Sequence, residues 1–191
     1  RGLPNHPKGA EAVRRGAARG GGGAGAARLV TGTALPHARL EEALADFHGR
    51  PAALLFATGY QANLGALQGL VGTGDLILSD SLNHASLIDG CRLARSQAEV
   101  RVYRHGDLDH LEAQLRAARR RRGRTWIVTD AVFSVDGDLA PLEGISALAD
   151  RHGALTLVDE AHAIGVFGQE GRGLVHALGL SRRIDVVVGT L

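Results

Sequence analysis

The sequence predicts an α/β fold: a mostly parallel sheet with helices on both faces. Short apolar or β-branched runs recur along the chain, stretches with helical leucine spacing separate them, and polar residues gather just after the runs. The clearest run is Leu155-Thr156-Leu157-Val158. It lacks the alternation of a half-exposed strand and so reads as buried on both faces, as in a parallel sheet. Asp159-Glu160-Ala161-His162 and a glycine-punctuated tail reaching Gly173 come directly after it. In open α/β sheets the ligand lies outside the carboxyl ends of the strands, which makes Asp159 and His162 candidates, although Asp at a strand-to-loop junction is also ordinary turn chemistry.

Lys8 to Arg19 are rich enough in alanine and arginine for a short helix. Gly20-Gly21-Gly22-Gly23-Ala24-Gly25 contains the letters of a dinucleotide fingerprint, but no strand precedes it, so a pliable loop is expected. Pro36 to His48 sets Leu40, Leu44 and Phe47 against Glu41, Glu42 and Asp46, an amphipathic helix. Strands are then expected at Ala53–Phe56, Leu76–Ser79, Val100–Tyr103, Trp126–Asp130, Leu155–Val158 and Ile184–Val188. Helices are expected between them at Tyr60–Val71, Ala85–Ala94, Leu108–Arg121 and Leu142–His152.

Composition narrows the function. The 191 residues suffice for one well-buried domain, or most of a larger one. No apolar run approaches the ~20 residues of a membrane-spanning helix, so no membrane partner is expected and the expected location is the cytoplasm. The single cysteine, Cys91, excludes an internal disulfide and reads as packing. No metal-ligand spacing surrounds it. All but one of the 22 basic residues are arginine, the exception being Lys8, yet the formal net charge is only +2. The run Arg119-Arg120-Arg121-Arg122-Gly123-Arg124 comes after Leu108, Leu111 and Leu115, where cations suit a helix C-terminus, and no nucleic-acid partner is expected.

The strand ends carry the chemistry. Thr58-Gly59-Tyr60 opens a helix, whose free N–H groups make a phosphate seat. Leu76–Ser79 leads to Asp80-Ser81-Leu82-Asn83-His84-Ala85-Ser86, and Trp126–Asp130 leads to Ala131-Val132-Phe133-Ser134-Val135-Asp136-Gly137-Asp138. A phosphate seat, an imidazole, a hydroxyl and the Asp159/His162 pair thus share one edge of one sheet. That set suits a phosphorylated aromatic cofactor such as pyridoxal phosphate, whose ring nitrogen acts as an electron sink when a buried Asp holds it protonated. Asp159 is the candidate for that role, with His162 near the ring oxygen, His84 flat on the ring and Ser134 as an added hydroxyl. Each has a plainer reading too: His84 could cap the helix that Ala85 begins, Ser134 could be a turn residue, and Tyr60 could be core at a helix start.

These four motifs in this order, with Gly171-Arg172-Gly173, resemble the α-oxoamine synthases, pyridoxal-phosphate enzymes of fold type I. The resemblance covers essentially the whole chain. It implies that Gly59 and Tyr60 contact the cofactor, that His84 stacks on its ring and helps position substrate, and that Ser134 bonds cofactor oxygens. It further implies that Asp159 pairs with the pyridine nitrogen, that His162 pairs with the ring oxygen, and that Thr190 touches the phosphate. Catalysis would then fall to His84, Asp159 and His162. The implied reaction joins an amino acid to a coenzyme A or carrier-protein thioester with loss of carbon dioxide, in a homodimer.

The family's Schiff-base lysine lies a few residues beyond the position of Thr190, whereas this sequence ends at Leu191, and Lys8 is no substitute. With no methionine and a final apolar run, the sequence is expected to be a partial chain. The expected division is an N-terminal segment, 1–33, and a large fold type I domain, 34–191, cut before the lysine and without its C-terminal small domain. Two rivals stand beside this reading. Asp159-Glu160-Ala161-His162 also spells a helicase Walker B box, but the phosphate loop with its lysine that must accompany it is lacking. An inert relative that binds a partner through the same fold is the other.

Overall fold

The computed structural model describes residues 6–190. They fall into two compact units, the first ending at Ala43 and the second beginning at Leu44. In the first, α1 (Pro7–Gly20) starts at a His6 cap whose ring accepts the Lys8 N–H at 3.2 Å. Pro7 stands in the first turn, where its missing N–H does no harm. None of the α1 residues is buried. Gly21, at φ 76°, closes the helix, and the glycine run beyond it is a loop, as expected. A π-type turn, Arg28–Gly32, precedes α2 (Leu35–His48). Glu41 on α2 accepts both terminal nitrogens of Arg28, at 2.6 and 3.1 Å.

The second unit is a five-stranded parallel sheet in the order β2-β1-β3-β4-β5. The strands are β1 (Leu76–Asp80), β2 (Glu99–Tyr103), β3 (Thr125–Asp130), β4 (Leu155–Asp159) and β5 (Val186–Val188). Alternate side chains of the central strands feed two separate cores, which is the signature of a sheet covered twice. Leu76, Leu78, Ile127 and Val158 pack on one face with Leu111 and Leu115 of α5 (Leu108–Ala118) and with Leu142 and Ile145 of α6 (Leu142–His152). Ile77, Trp126, Val128 and Leu157 pack on the other face with Leu67 of α3 (Gly59–Leu70) and with Leu87 and Cys91 of α4 (Ala85–Ala94). Burial pushes the Cys91 thiol up to about 11, consistent with the packing role expected for it. The expected α/β architecture is therefore observed.

Three elements differ from expectation by more than one residue at a boundary. Ala53–Phe56 is not a strand but a coil leading into α3. Leu54 is 67% exposed there, and among the described residues no strand pairs with this stretch, so a short apolar run alone does not make one. Phe56 instead lies under Gly65, where a Cβ would come within 2.6 Å of its ring. The last strand begins two residues later than expected, because Asp185 turns aside to accept the backbone N–H and hydroxyl of Thr156 at 2.8 and 2.9 Å. Helix α5 ends at Ala118, so the arginine run lies beyond it. Arg121 pairs with Glu99 at 2.5 Å and Arg124 with Asp75 at 3.1 Å, so those two cations are tied to the fold itself.

A short helix, α7 (Leu174–Ala177), comes after the glycine-rich tail. Its start rests on Glu160, which is 1% exposed and accepts the Val175 N–H at 2.8 Å. A Cβ at Gly173 would clash with that carboxylate, which accounts for the glycine there.

Candidate active site

Three neighbouring strands each end in an aspartate: Asp80 on β1, Asp130 on β3 and Asp159 on β4. Asp130 lies in register with Asp159. All three are at most 5% exposed, so each needs donors to offset lost hydration. Asp80 receives the N–H groups of Leu82 and Gly106 at 2.9 and 3.0 Å. Asp130 accepts the His84 N–H at 2.7 Å. Burial pushes the Asp130 carboxyl up to about 7, and the nearby Asp159 and Asp80 charges add to the rise while the His84 N–H opposes it.

Asn83 joins the ends of β1 and β3. Its amide donates to Ser79 Oγ at 3.0 Å and to the Val128 carbonyl at 2.8 Å, while its oxygen accepts the Asp130 N–H at 3.0 Å. His84 is thereby fixed at the mouth of the sheet. It does cap α4, its Nδ1 accepting the Ser86 N–H at 3.2 Å, so the plainer reading of this residue holds as local structure. The cap is only part of its setting. Ser86 Oγ lies 2.7 Å from the same Nδ1, Asn63 Nδ2 donates to Ser86 Oγ at 2.9 Å, and that nitrogen donates to Asp159 Oδ2 at 2.6 Å. Asp159 Oδ1 accepts the Ala161 N–H at 2.8 Å. Two of the candidate site residues, His84 and Asp159, are thus joined by a continuous hydrogen-bonded path through Asn63 and Ser86.

Gly59 opens α3 behind a Thr58 cap, and the amides of that first turn have no intrahelical acceptor. Thr190 lies beside it: a Cβ at Gly59 would come within 2.5 Å of Thr190 Cγ2. Asn63 stands one turn along α3 from Gly59, so the helix start and the Asp159 carboxylate are separated by about 5.4 Å of helix plus one hydrogen bond. His162 lies half-buried in the turn just after β4. Tyr60 is 45% exposed and not core, its hydroxyl donating to Asp89 at 2.8 Å.

Ser134 is exposed in a turn, as its plainer reading had it, and lies outside the hydrogen-bonded path. That turn is held from below. Val132 and Leu139 form an antiparallel bridge, and His105 joins Asp80 at 2.9 Å to Asp138 at 2.7 Å while packing edge-on against Phe133. Burial alone would lower the His105 pKa, but the two carboxylates outweigh it and raise it.

Sequence reasoning gave no role to Asn63, Ser86, Asp80, Asp130 or His105. The signal for the aspartates was present, since Leu76–Asp80, Thr125–Asp130 and Leu155–Asp159 are three apolar runs that each close on Asp. Asn63 was marked by falling four residues after Gly59, on the same helix face. Nothing local to His105 reveals its partners, which come from other strand ends.

The chain belongs to the aminotransferase class I and II family, whose pattern matches residues 4–191. It is 53% identical to an 8-amino-7-oxononanoate synthase of Anaeromyxobacter sp. over 190 residues, covering all of this chain and 47% of that protein. An 8-amino-7-oxononanoate synthase of Mycolicibacterium smegmatis is 51% identical over 193 residues, covering 99% of this chain and 48% of its own length. The chain spans about half the length of the curated relatives it matches. Among solved structures, a serine palmitoyltransferase variant from S. paucimobilis with a bound PLP-myriocin aldimine superposes with a TM-score of 0.91 at 40% identity, over 96% of this chain and 47% of that one. An 8-amino-7-oxononanoate synthase of Francisella tularensis gives 0.71 at 29%, over 93% and 45%. The resemblance to α-oxoamine synthases read from the motifs is thereby upheld, with the fold type I architecture it implied.

Proposed function

We propose that residues 34–191 form the pyridoxal-phosphate-binding large domain of an α-oxoamine synthase, with 8-amino-7-oxononanoate synthase as the activity of the whole protein. The observation that carries this is full-chain identity of 53% to such a synthase. The local fit of the cofactor rests on two features. The close approach of Gly59 and Thr190 leaves no room for a side chain at the helix start, the arrangement a phosphate seat needs. One turn away stands a buried carboxylate with two donors of its own, suited to a protonated ring nitrogen.

When bound, pyridoxal phosphate supplies an electron sink that stabilises negative charge at the substrate α-carbon. Binding and orientation fall to the chain's own residues. The Gly59 and Tyr60 backbone and Thr190 would hold the phosphate. Asp159 would keep a proton on the ring nitrogen, held in place by Asn63 and Ala161. His162 would bond the ring oxygen and Ser134 a further cofactor oxygen, and His84 would cover the ring face and meet the substrate. The amino acid and the thioester would be L-alanine and a pimeloyl thioester on coenzyme A or a carrier protein. The protein would act as a cytoplasmic homodimer without nucleic-acid, membrane or metal partners. Among the described residues no helix is long and apolar enough to cross a membrane.

A second reading is another α-oxoamine synthase: a serine palmitoyltransferase is favoured by the higher TM-score of those structures, and a glycine C-acetyltransferase by the stretch from Ser79 to Gly90, which resembles that branch. The sequence identities point the other way, 53% against 40%. The test is an assay of the full-length protein with pyridoxal phosphate and three substrate pairs: alanine with pimeloyl-CoA, serine with palmitoyl-CoA and glycine with acetyl-CoA. Coenzyme A release is expected only with the first. Turnover of another pair would replace the substrate assignment, and no turnover of any pair would support an inert relative.

A further inference from the structure

The hydrogen-bonded path between Asp159 and His84 has a direction. The Asn63 side chain is 1% exposed and donates through Nδ2 to both Asp159 Oδ2 and Ser86 Oγ, while its own Oδ1 has no partner among the described residues. A buried acceptor left unpaired is unfavourable, so the amide would turn over if turning over were better. Turning over would set Oδ1 against the Asp159 carboxylate, acceptor to acceptor, at the site of a 2.6 Å hydrogen bond. The Asp159 charge therefore fixes which way Asn63 faces. Ser86 Oγ, accepting from Asn63, has its own proton left to give, and His84 Nδ1 stands 2.7 Å away. That nitrogen also receives the Ser86 N–H. With two donors aimed at it, Nδ1 carries no proton, and the neutral ring carries its proton on Nε2.

We propose that Asn63 is a positioning residue through which the Asp159 carboxylate reinforces the tautomer of His84 that the helix cap selects, by way of the hydroxyl of Ser86. Asp159 thereby orients two groups at once: whatever it binds directly, and the Nε2–H that His84 offers to the site. The idea rests on the proposed function only in naming Asp159 and His84 as site residues.

The test is read from the His84 ring-nitrogen resonances of protein labelled with 15N-histidine, without cofactor, assigned by their loss in His84→Gln. The expected native state has the proton on Nε2 and a bare Nδ1. Asn63→Leu and Ser86→Ala should each move Nδ1 downfield, the direction of an imidazole nitrogen that loses a donor. Asp159→Asn should move it the same way in the native background and leave it unmoved in the Asn63→Leu background. A proton on Nδ1 in the native protein, or an equal Asp159→Asn shift with and without Asn63, overturns the relay. If Asn63→Leu does not fold, Ser86→Ala serves as the second background, since it keeps the bond between Asn63 and Asp159. Pyridoxal phosphate is then titrated into the same samples. Failure to bind would count against the proposed function and leave the relay standing, whereas an overturned relay would leave cofactor binding untouched.

Discussion

The Asn63 amide donates to the Asp159 carboxylate across 2.6 Å, tying the first turns of α3 to the carboxyl end of β4. Neither group is more than 5% exposed, so neither can exchange its partner for water. Asn63→Ala should lower unfolding stability by about 1–3 kcal/mol, because it strips a donor from a buried carboxylate. Urea denaturation of the two proteins measures this, and equal midpoints would mean that the bond contributes nothing.

Asp130 makes the stability pH-dependent. Its carboxyl is raised from an ordinary 3.8 to about 7, so between those values the folded state holds a proton that the unfolded state has released. Its contribution is complete below about pH 4 and is lost as the pH rises to about 7, at up to about 1.4 kcal/mol per unit. Asp130→Asn keeps an acceptor for the His84 N–H and removes the titration. Stability of the native protein relative to this variant should therefore fall across that window and level off above it. Parallel melting curves at several pH values give the comparison, and a constant difference would show that Asp130 does not titrate there.

His105 holds the turn that carries Ser134. His105→Gln breaks at least one of the links to Asp80 and Asp138 and should raise amide hydrogen exchange at Phe133 and Gly137 by about tenfold, an opening free energy lower by about 1.4 kcal/mol. The raised His105 pKa means that its contribution is complete below about pH 6.5 and fades as the pH climbs through the raised value. Protection of these two amides in native protein, with exchange rates corrected for base catalysis, should accordingly fall as the pH climbs through that raised value. Unchanged exchange in the variant would mean that the Val132–Leu139 bridge holds the turn unaided.

Much of this molecule was legible in its sequence because parallel strands announce themselves. Leu155–Val158 and Trp126–Asp130 have nowhere to go but the middle of a sheet, and the polar residues after them had to face its edge. Ala53–Phe56 misled because an apolar run reads the same whether it pairs with a neighbour or merely leans on a helix, and only the tertiary contact of Phe56 with Gly65 separates the two. The relay was illegible for a related reason. Asn63, Ser86 and Asp159 lie on three elements far apart in the chain, and the donors of a buried amide are chosen by neighbours that no local pattern specifies. His84 was legible by motif, its plain reading as a helix cap is observed, and the cap and the contact with Ser86 Oγ use the same nitrogen.

The most direct test of the account is the binding of pyridoxal phosphate to the native protein, to Gly59→Ala and to Asp159→Asn, by calorimetry and by the absorbance of the bound cofactor. Alanine is a better helix former than glycine, so Gly59→Ala disturbs little except the space against Thr190, where its Cβ would stand 2.5 Å from Cγ2. Asp159→Asn removes the charge proposed to face the ring nitrogen. The account predicts one cofactor per chain in the native protein and affinity weaker by at least about tenfold, or 1.4 kcal/mol, in each variant. Equal affinity in all three proteins, or no binding to the native one, would contradict it.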